Sequence, residues 1–429
     1  MGLSNMKKSL FIFTISALTT LCFADPVWTE TEDSTTSKRK VIDGNFVVGW
    51  DGTGGTARRL YYVSHDASVG TVLDMTTICS DMEAAEITYP NIVNTSGFLK
   101  VAGITRIIFP EEIPTFYQQA CSAMPDLESV VLSSKTSWNA KSYPKQVFSS
   151  CEKLSTITPR GVVETNGVVY LPEGCTSIAN NMLQSCKNAP FKHVIAPWAT
   201  YIAEAAFQHC YNLETVTVSK DLQTIESYAF EACSSFSNLI AGDNSFEKLS
   251  NMGGGRIFRG CSKLNQKFDF SKSTFTSLGY QFMYGADSVP EIHFPVTVTS
   301  VSGSALRADT RPVQRLIYFY GAPPTFNDGE KLALGSTNNN PTPRFIVFIK
   351  DEYKDQWLEL FATDAFNEIT DADKARDDYP TKSDVVRVPE SRILGTSTFM
   401  AHYNGGNKLS PYYVCTFVEP NMPLSIIIR

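Results

Sequence analysis

One short pattern, stated twice 23 residues apart, constrains this chain more than any other feature. Within residues 201–244, Ile202, Phe207, Cys210, Leu213 and Val216 are answered by Ile225, Phe230, Cys233, Phe236 and Leu239. Relative to the cysteine, each unit has an apolar residue at −8, Ala-Phe at −4 and −3, and apolar residues at +3 and +6. The spacing continues upstream through Tyr143, Phe148, Cys151, Leu154 and Ile157, and through Ile178, Leu183 and Cys186, with Phe191 and Val194 in step after two inserted residues. Farther back, Phe116, Cys121, Met124, Leu127 and Val130 keep the geometry with cysteine in the phenylalanine place. Downstream come Phe258, Cys261, Leu264 and Phe268, then Leu278, Met283, Ala286, Val289 and Ile292, and a worn copy from Val301 and Leu306.

Each unit is too short to enclose a core, so its apolar positions are buried only by stacking on neighbouring copies, which defines a solenoid. The spacing of three and four predicts a helical turn or short helix, and Val216-x-Val218 predicts a strand. The expected fold is an α/β solenoid. By residue pattern the chain resembles the BspA-like leucine-rich repeat family, whose units read Ile, then Ala-Phe-x-x-Cys-x-x-Leu, then a strand often ending in proline. Phe109-Pro110, Pro159, Ala196-Pro197 and Phe294-Pro295 match that ending. The resemblance covers about residues 101–350. It implies a right-handed leucine-rich repeat coil, surface display, and adhesion to host, matrix or neighbouring-cell proteins.

Residues 1–24 read as a signal peptide: Lys7 and Lys8 precede an apolar run from Leu10 to Leu21, with Cys22 and Ala24 as small residues before a cleavage site. A mobile leader is expected at 25–40, rich in Thr, Ser and acidic residues, and a β-rich N-terminal cap at 41–100. In that cap, Phe46 to Trp50 and Leu60 to Val63 flank a glycine-rich tip and predict a hairpin. The repeats then fill 101–322. A C-terminal cap of a strand and a short helix takes 323–369, a linker 370–384, and a β-rich tail of unassigned role 385–429. The resemblance also implies the Pro-Pro turn, strand and Tyr/Trp helix of that C-terminal cap.

A formal charge of −7 without a basic cluster beyond Ser37 to Lys40 argues against a nucleic-acid partner. No His-Glu-x-x-His, Gly-x-Ser-x-Gly, phosphate-loop or paired Cys-x-x-Cys motif occurs, and no two of the five histidines lie within five residues of each other. The expectation is a non-enzymatic protein without a cofactor or metal. Cys151, Cys186, Cys210, Cys233 and Cys261 share one slot and are expected to stack as an inward column of free thiols.

Side chains alternate along a strand, so residues between the buried ones face out. These are Ser129, Thr156, His193, Thr215, Thr217, Asn238, Lys267, Asp269, Glu291 and His293, expected to form one continuous mixed-polar face, with Tyr318 and Tyr320 as aromatic anchors near its C-terminal edge. The function expected is that of an exported or cell-surface protein binding an extracellular protein or glycan through this face. The alternative is a structural spacer in an envelope or extracellular assembly, docked by residues 385–429.

Overall fold

The computed structural model describes residues 28–32, 38–42, 45–51, 59–68, 70–84, 92–94, 96–138, 144–307, 315–326, 345–361, 366–368, 397–402 and 409–417. The expected signal peptide at 1–24, the hairpin tip at 52–56 and the linker at 370–384 lie outside the described residues.

Val216 and Val218 are buried and Thr215 and Thr217 half-exposed, as alternation along a pleated strand requires. Successive units bring their strands side by side and parallel. Thr215–Val218 pairs with His193–Ala196 and with Asn238–Ala241, which sets Val194, Val216 and Leu239 in one inward row. Eight parallel strands form this sheet, from Val72–Asp74 to Asn238–Ala241. A second ribbon of two-residue strands, among them Ser177–Ile178, Tyr201–Ile202 and Thr224–Ile225, carries the apolar residues at −8 inward. The whole is a β-solenoid of about eight turns.

The segment expected to be helical is a run of turns. In the Cys210 unit, the amides of Ala206, Gln208 and Cys210 donate to carbonyls three residues back, at 3.3, 3.2 and 3.0 Å. Those of Ala205, Phe207 and His209 donate instead to Ser227, Ala229 and Glu231 of the next coil, at 3.0, 2.9 and 2.8 Å. Pointing alternate amides outward puts Ala205 and His209 in the left-handed region, at φ 50° and 62°. Gln146 and Ser150, Asn181 and Ser185, Tyr228 and Ala232, and Gln281 and Gly285 repeat the pair, which reaches back to Ser96 and Lys100 around Phe98. The left-handed region costs an L-residue roughly 1–2 kcal/mol, a cost that about 1 kcal/mol from each coil-to-coil bond offsets together with the burial it permits. Helix and turn run share the same spacing, so periodicity does not separate them.

Inside, Phe207, Phe230 and Phe258 stack at 5.2 and 5.3 Å between ring centroids, and Phe236 lies 4.5 Å from Phe230. The cysteine column is in place, and all eight cysteines from Cys79 to Cys261 are free and buried. Its thiols donate to carbonyls of the preceding coil: Cys210 to Leu183, Cys233 to Phe207 and Cys261 to Phe230, each at 3.0 Å. Burial pushes the thiols of Cys151 and Cys233 up to about 12 and so keeps them protonated donors.

The sheet is interrupted once. The Cys261 unit places Phe268 at +7 rather than +6, and the side chain of Gln266 fills the resulting gap. Its Oε1 accepts from the Leu239 amide at 2.8 Å and its Nε2 donates to the Leu239 carbonyl at 2.9 Å. A second sheet then runs through Phe268–Asp269, Glu291–Phe294, Arg315–Phe319 and Phe345–Lys350. Leu409–Phe417 joins it parallel to Phe345–Lys350, followed by antiparallel Ser397–His402 and Phe366–Glu368. Arg315 is fully buried and donates to the carbonyls of Ala286, Val289 and Leu306. Trp357, on the helix Lys354–Phe361, is fully buried and donates to the Gly321 carbonyl at 3.3 Å.

At the other end, Phe46–Asp51 and Arg59–His65 pair as the expected hairpin. The stretch expected to be a mobile leader contributes two strands, Thr29–Glu32 and Lys38–Ile42, to the same antiparallel meander. Trp28, 3% exposed, holds that stretch down, and its amide donates to Asp81 at 3.1 Å.

Replacing Gln266 with leucine leaves the buried amide and carbonyl of Leu239 unpaired and is expected to cost about 2–4 kcal/mol in urea unfolding; an unchanged midpoint would show the sheet closing without it. Thiol titration of the native protein is expected to leave Cys151, Cys186, Cys210, Cys233 and Cys261 unmodified until denaturant is added.

Candidate binding face

The outward positions of the strands do not form one uninterrupted surface. Gln266 divides them into a track on the eight-stranded sheet and a cluster on the second sheet.

On the first sheet, the two most N-terminal of the expected residues are covered. Ser129 is 9% exposed and Thr156 3%. The cause is the loop 160–167. Here the chain passes from Thr156–Pro159 to the parallel strand Val168–Tyr170 with no intervening turn run, so the loop folds across the outside of the sheet. Gly161 and Gly167, at φ 82° and 79°, make its two bends. Glu164 accepts from Thr156 Oγ1 at 2.9 Å and pairs with Arg106 at 2.8 Å, and Arg106 donates to Ser129 Oγ at 2.8 Å. Beyond the loop the track is open: His193 Nδ1 lies 2.9 Å from Thr215 Oγ1, Thr215 is in register with Asn238, and Thr217 sits between Ile195 and the exposed Ile240.

On the second sheet, Asp269, His293, Tyr318 and Phe348 occupy successive register positions on the outer side. The rings of His293 and Tyr318 stack at 4.1 Å and 5°, and those of Tyr318 and Phe348 at 4.3 Å and 7°. His293 is therefore 8% exposed rather than open. Its Nε2 lies 2.8 Å from Glu291 Oε1 and its Nδ1 3.1 Å from the Tyr320 hydroxyl. An ionised carboxylate only accepts, so Nε2 donates to Glu291. Lys267 reaches Glu291 Oε2 at 2.9 Å, and Lys350 Nζ lies 5.7 Å from the Tyr320 ring centroid. The His293 hydrogen bond, aided by Lys267 and opposed by burial, holds Glu291 down from its ordinary 4.5 to about 2. Asp269 turns away from the cluster and accepts from the amide and hydroxyl of Ser271 at 3.0 and 2.6 Å.

Both His293 ring nitrogens are engaged within the chain and Phe348 is 4% exposed, so the cluster leaves Tyr318 and Tyr320 partly open over closed rings and is not an open acid or base. Among the described residues no group of three or more His, Cys, Asp or Glu is placed to hold a metal ion. Sequence reasoning located the tyrosines and the Glu291–His293 pair but missed Phe348 and Lys350. Phe345 to Lys350 reads as a buried strand, and Val347, Phe348 and Ile349 are all buried, so its part in the cluster comes from register alone. Arg106 and Glu164 carried no signal either, because they meet only in the tertiary structure.

A carboxylate held at a low pKa stabilises the fold above its unfolded value and loses that contribution as pH falls through the folded one. Replacing Glu291 with glutamine is expected to cost about 1 kcal/mol at pH 7, reduced by partial solvent screening, with the gap to wild type closing between about pH 4.5 and pH 2. Urea titrations of both proteins at several pH values measure it; a gap independent of pH would remove the ion cluster from the account.

Residues 79–187 and 164–253 match the family model for the BspA type leucine rich repeat region, in six copies. No curated protein matches the chain. Among solved structures, a leucine-rich repeat protein from Eubacterium ventriosum is 16% identical with a TM-score of 0.34, the match covering 51% of this chain and 50% of that one. This chain thus spans about half the length of that protein. A leucine-rich repeat protein from Bacteroides ovatus is 14% identical over 74% of this chain and 96% of its own, with a TM-score of 0.37. A leucine rich cell surface protein from Faecalibacterium prausnitzii is 17% identical over 67% and 89%, with a TM-score of 0.29. These scores are low, and the assignment rests on the six repeat copies, their shared slots and the coil they build. Residues 79–253, the part of the array that those copies span, match the BspA type leucine rich repeat region.

Proposed function

We propose that this chain is an exported, non-enzymatic leucine-rich repeat protein that binds an extracellular protein or glycan through the outer face of its sheets, in cell-surface interaction or adhesion. The observation that carries the reading is the partly exposed pair Tyr318 and Tyr320, fixed against the buried rings of His293 and Phe348 and bordered by Lys267, Glu291 and Lys350. Aromatic side chains locked by packing and bordered by charge lose little entropy on binding and anchor interfaces of this kind. The open track of Thr215, Thr217, Asn238 and Ile240 extends the contact area across the first sheet. Export rests on the basic and apolar pattern of residues 1–24. Among the described residues no helix is long and apolar enough to cross a membrane.

The spacer alternative has less support. It needs residues 385–429 as a docking element, whereas Leu409–Phe417 and Ser397–His402 pair within the chain's own sheet.

The test is binding of the purified protein to a panel of matrix proteins, glycans and intact cells. Two variants run beside it, Lys267→Ala with Tyr320→Ala on the cluster and Thr217→Arg with Ile240→Asp on the track. Wild-type binding reduced about tenfold or more by the cluster variant, under conditions where its unfolding curve shows it folded, is the expected result. Binding of wild type to no member of the panel, or full wild-type binding by both variants, would overturn the reading.

A further inference from the structure

The turn edge of the coil carries a feature unrelated to the sheet face. Position −2 of each unit stacks into a polar column: Gln184 donates to Gln208, Gln208 to Glu231, and Glu231 pairs with Arg259 at 2.7 Å. The column continues outward through Tyr284, whose ring lies 5.7 Å from the Arg259 guanidinium and 5.5 Å from that of Arg307. Beside it, Arg256 is sandwiched between Tyr228 of the preceding coil and Tyr280 of the following one, 5.7 Å from each ring. Glycines make the sandwich possible. A Cβ on Gly253 would sit 2.3 Å from the Ser227 amide, and one on Gly279 2.4 Å from the Gly254 backbone, so only glycine lets three coils approach this closely.

On this edge Glu231, 4% exposed, is already bonded to Gln208 and Arg259, and Glu226 accepts from the Tyr201 hydroxyl, so both carboxylates are engaged. Arg256 is more than a third exposed and its nearest contact with Glu231 is 3.7 Å, beyond hydrogen-bond reach. Stacking occupies the faces of a guanidinium and leaves its N–H donors in the plane, the arrangement that takes a carboxylate or sulfate in a bidentate pair. Tyr280, 44% exposed, adds an open aromatic edge on which sugar C–H groups pack. Successive coils are roughly 5 Å apart, so the arginines of this edge recur on a scale of about 10 Å along the solenoid. A polysaccharide with one acidic group per pair of sugars spaces its charges on the same scale, whereas the denser charge of a nucleic acid calls for a longer basic stripe.

We infer that the turn edge formed by Tyr228, Arg256, Arg259, Tyr280, Tyr284 and Arg307 binds an anionic polysaccharide, independently of the sheet face. Equilibrium binding of the purified full chain to hyaluronate, keratan sulfate, neutral dextran and single-stranded DNA tests it. The expected result is salt-sensitive binding to one or both acidic polysaccharides and none to neutral dextran; the carboxylated and sulfated arms separate the two acid types. Arg256→Gln and Tyr280→Ala are each expected to weaken binding about tenfold, and Arg256→Lys to restore little of it, because charge without the planar fork is insufficient. Tyr280→Phe, which keeps the ring, is expected to bind as wild type and controls for folding. The cluster variant Lys267→Ala with Tyr320→Ala is expected to bind these polymers normally, which separates this site from the sheet face. Binding to neither polysaccharide, tighter binding to the DNA, or full binding by Arg256→Gln would overturn the inference.

Discussion

The interaction on which everything else depends is the hydrogen bond from one coil's turn to the next. At −5, −3 and −1 of a unit the amide leaves its own coil and finds a carbonyl in the following one. Such a bond fixes the next coil in both height and rotation, because three of them run side by side. The phenylalanine column, the cysteine column and both strand ribbons fall into register as a consequence. An isolated unit has no carbonyl to receive these amides and no reason to place L-residues at positive φ, so the unit has its shape only within the stack.

The same stacking writes the surface. On the strand side, residues in register meet as stacked rings, from His293 through Tyr318 to Phe348. On the turn side, residues at −2 meet as a chain of amide, carboxylate and guanidinium from Gln184 to Arg259. Where a unit departs from the pattern, the departure is absorbed locally and leaves a mark. One extra residue before Phe268 becomes the Gln266 side-chain bridge, and a missing turn run before Val168–Tyr170 becomes the loop that covers Ser129 and Thr156.

Two kinds of polar group result, and they serve differently. Glu231, Gln266 and Arg315 are buried and satisfied, and they hold coils together where the backbone alone does not. Lys267, Thr217 and Arg256 stand partly open on the finished stack, positioned by neighbours in other coils. Sequence treats both kinds alike, since each is a polar residue in a repeat.

By itself the sequence determined the repeat, the inward slots of phenylalanine, leucine and cysteine, and the alternation that puts Thr215 and Thr217 outside. Those follow from spacing, which is local and survives in one dimension. The tertiary structure alone decided that Ala205 and His209 turn left-handed in place of a helix, because the partner for each released amide lies in another coil. It also decided that residues 29–32 and 38–42 are strands, since their order comes from the neighbouring strands and from Trp28 against the helix Ile78–Ala84. For the same reason only the folded chain could bury Thr156 under Glu164 and set Arg256 between Tyr228 and Tyr280: each contact joins residues whose separation along the chain is fixed but whose distance in space is set by how the coils stack.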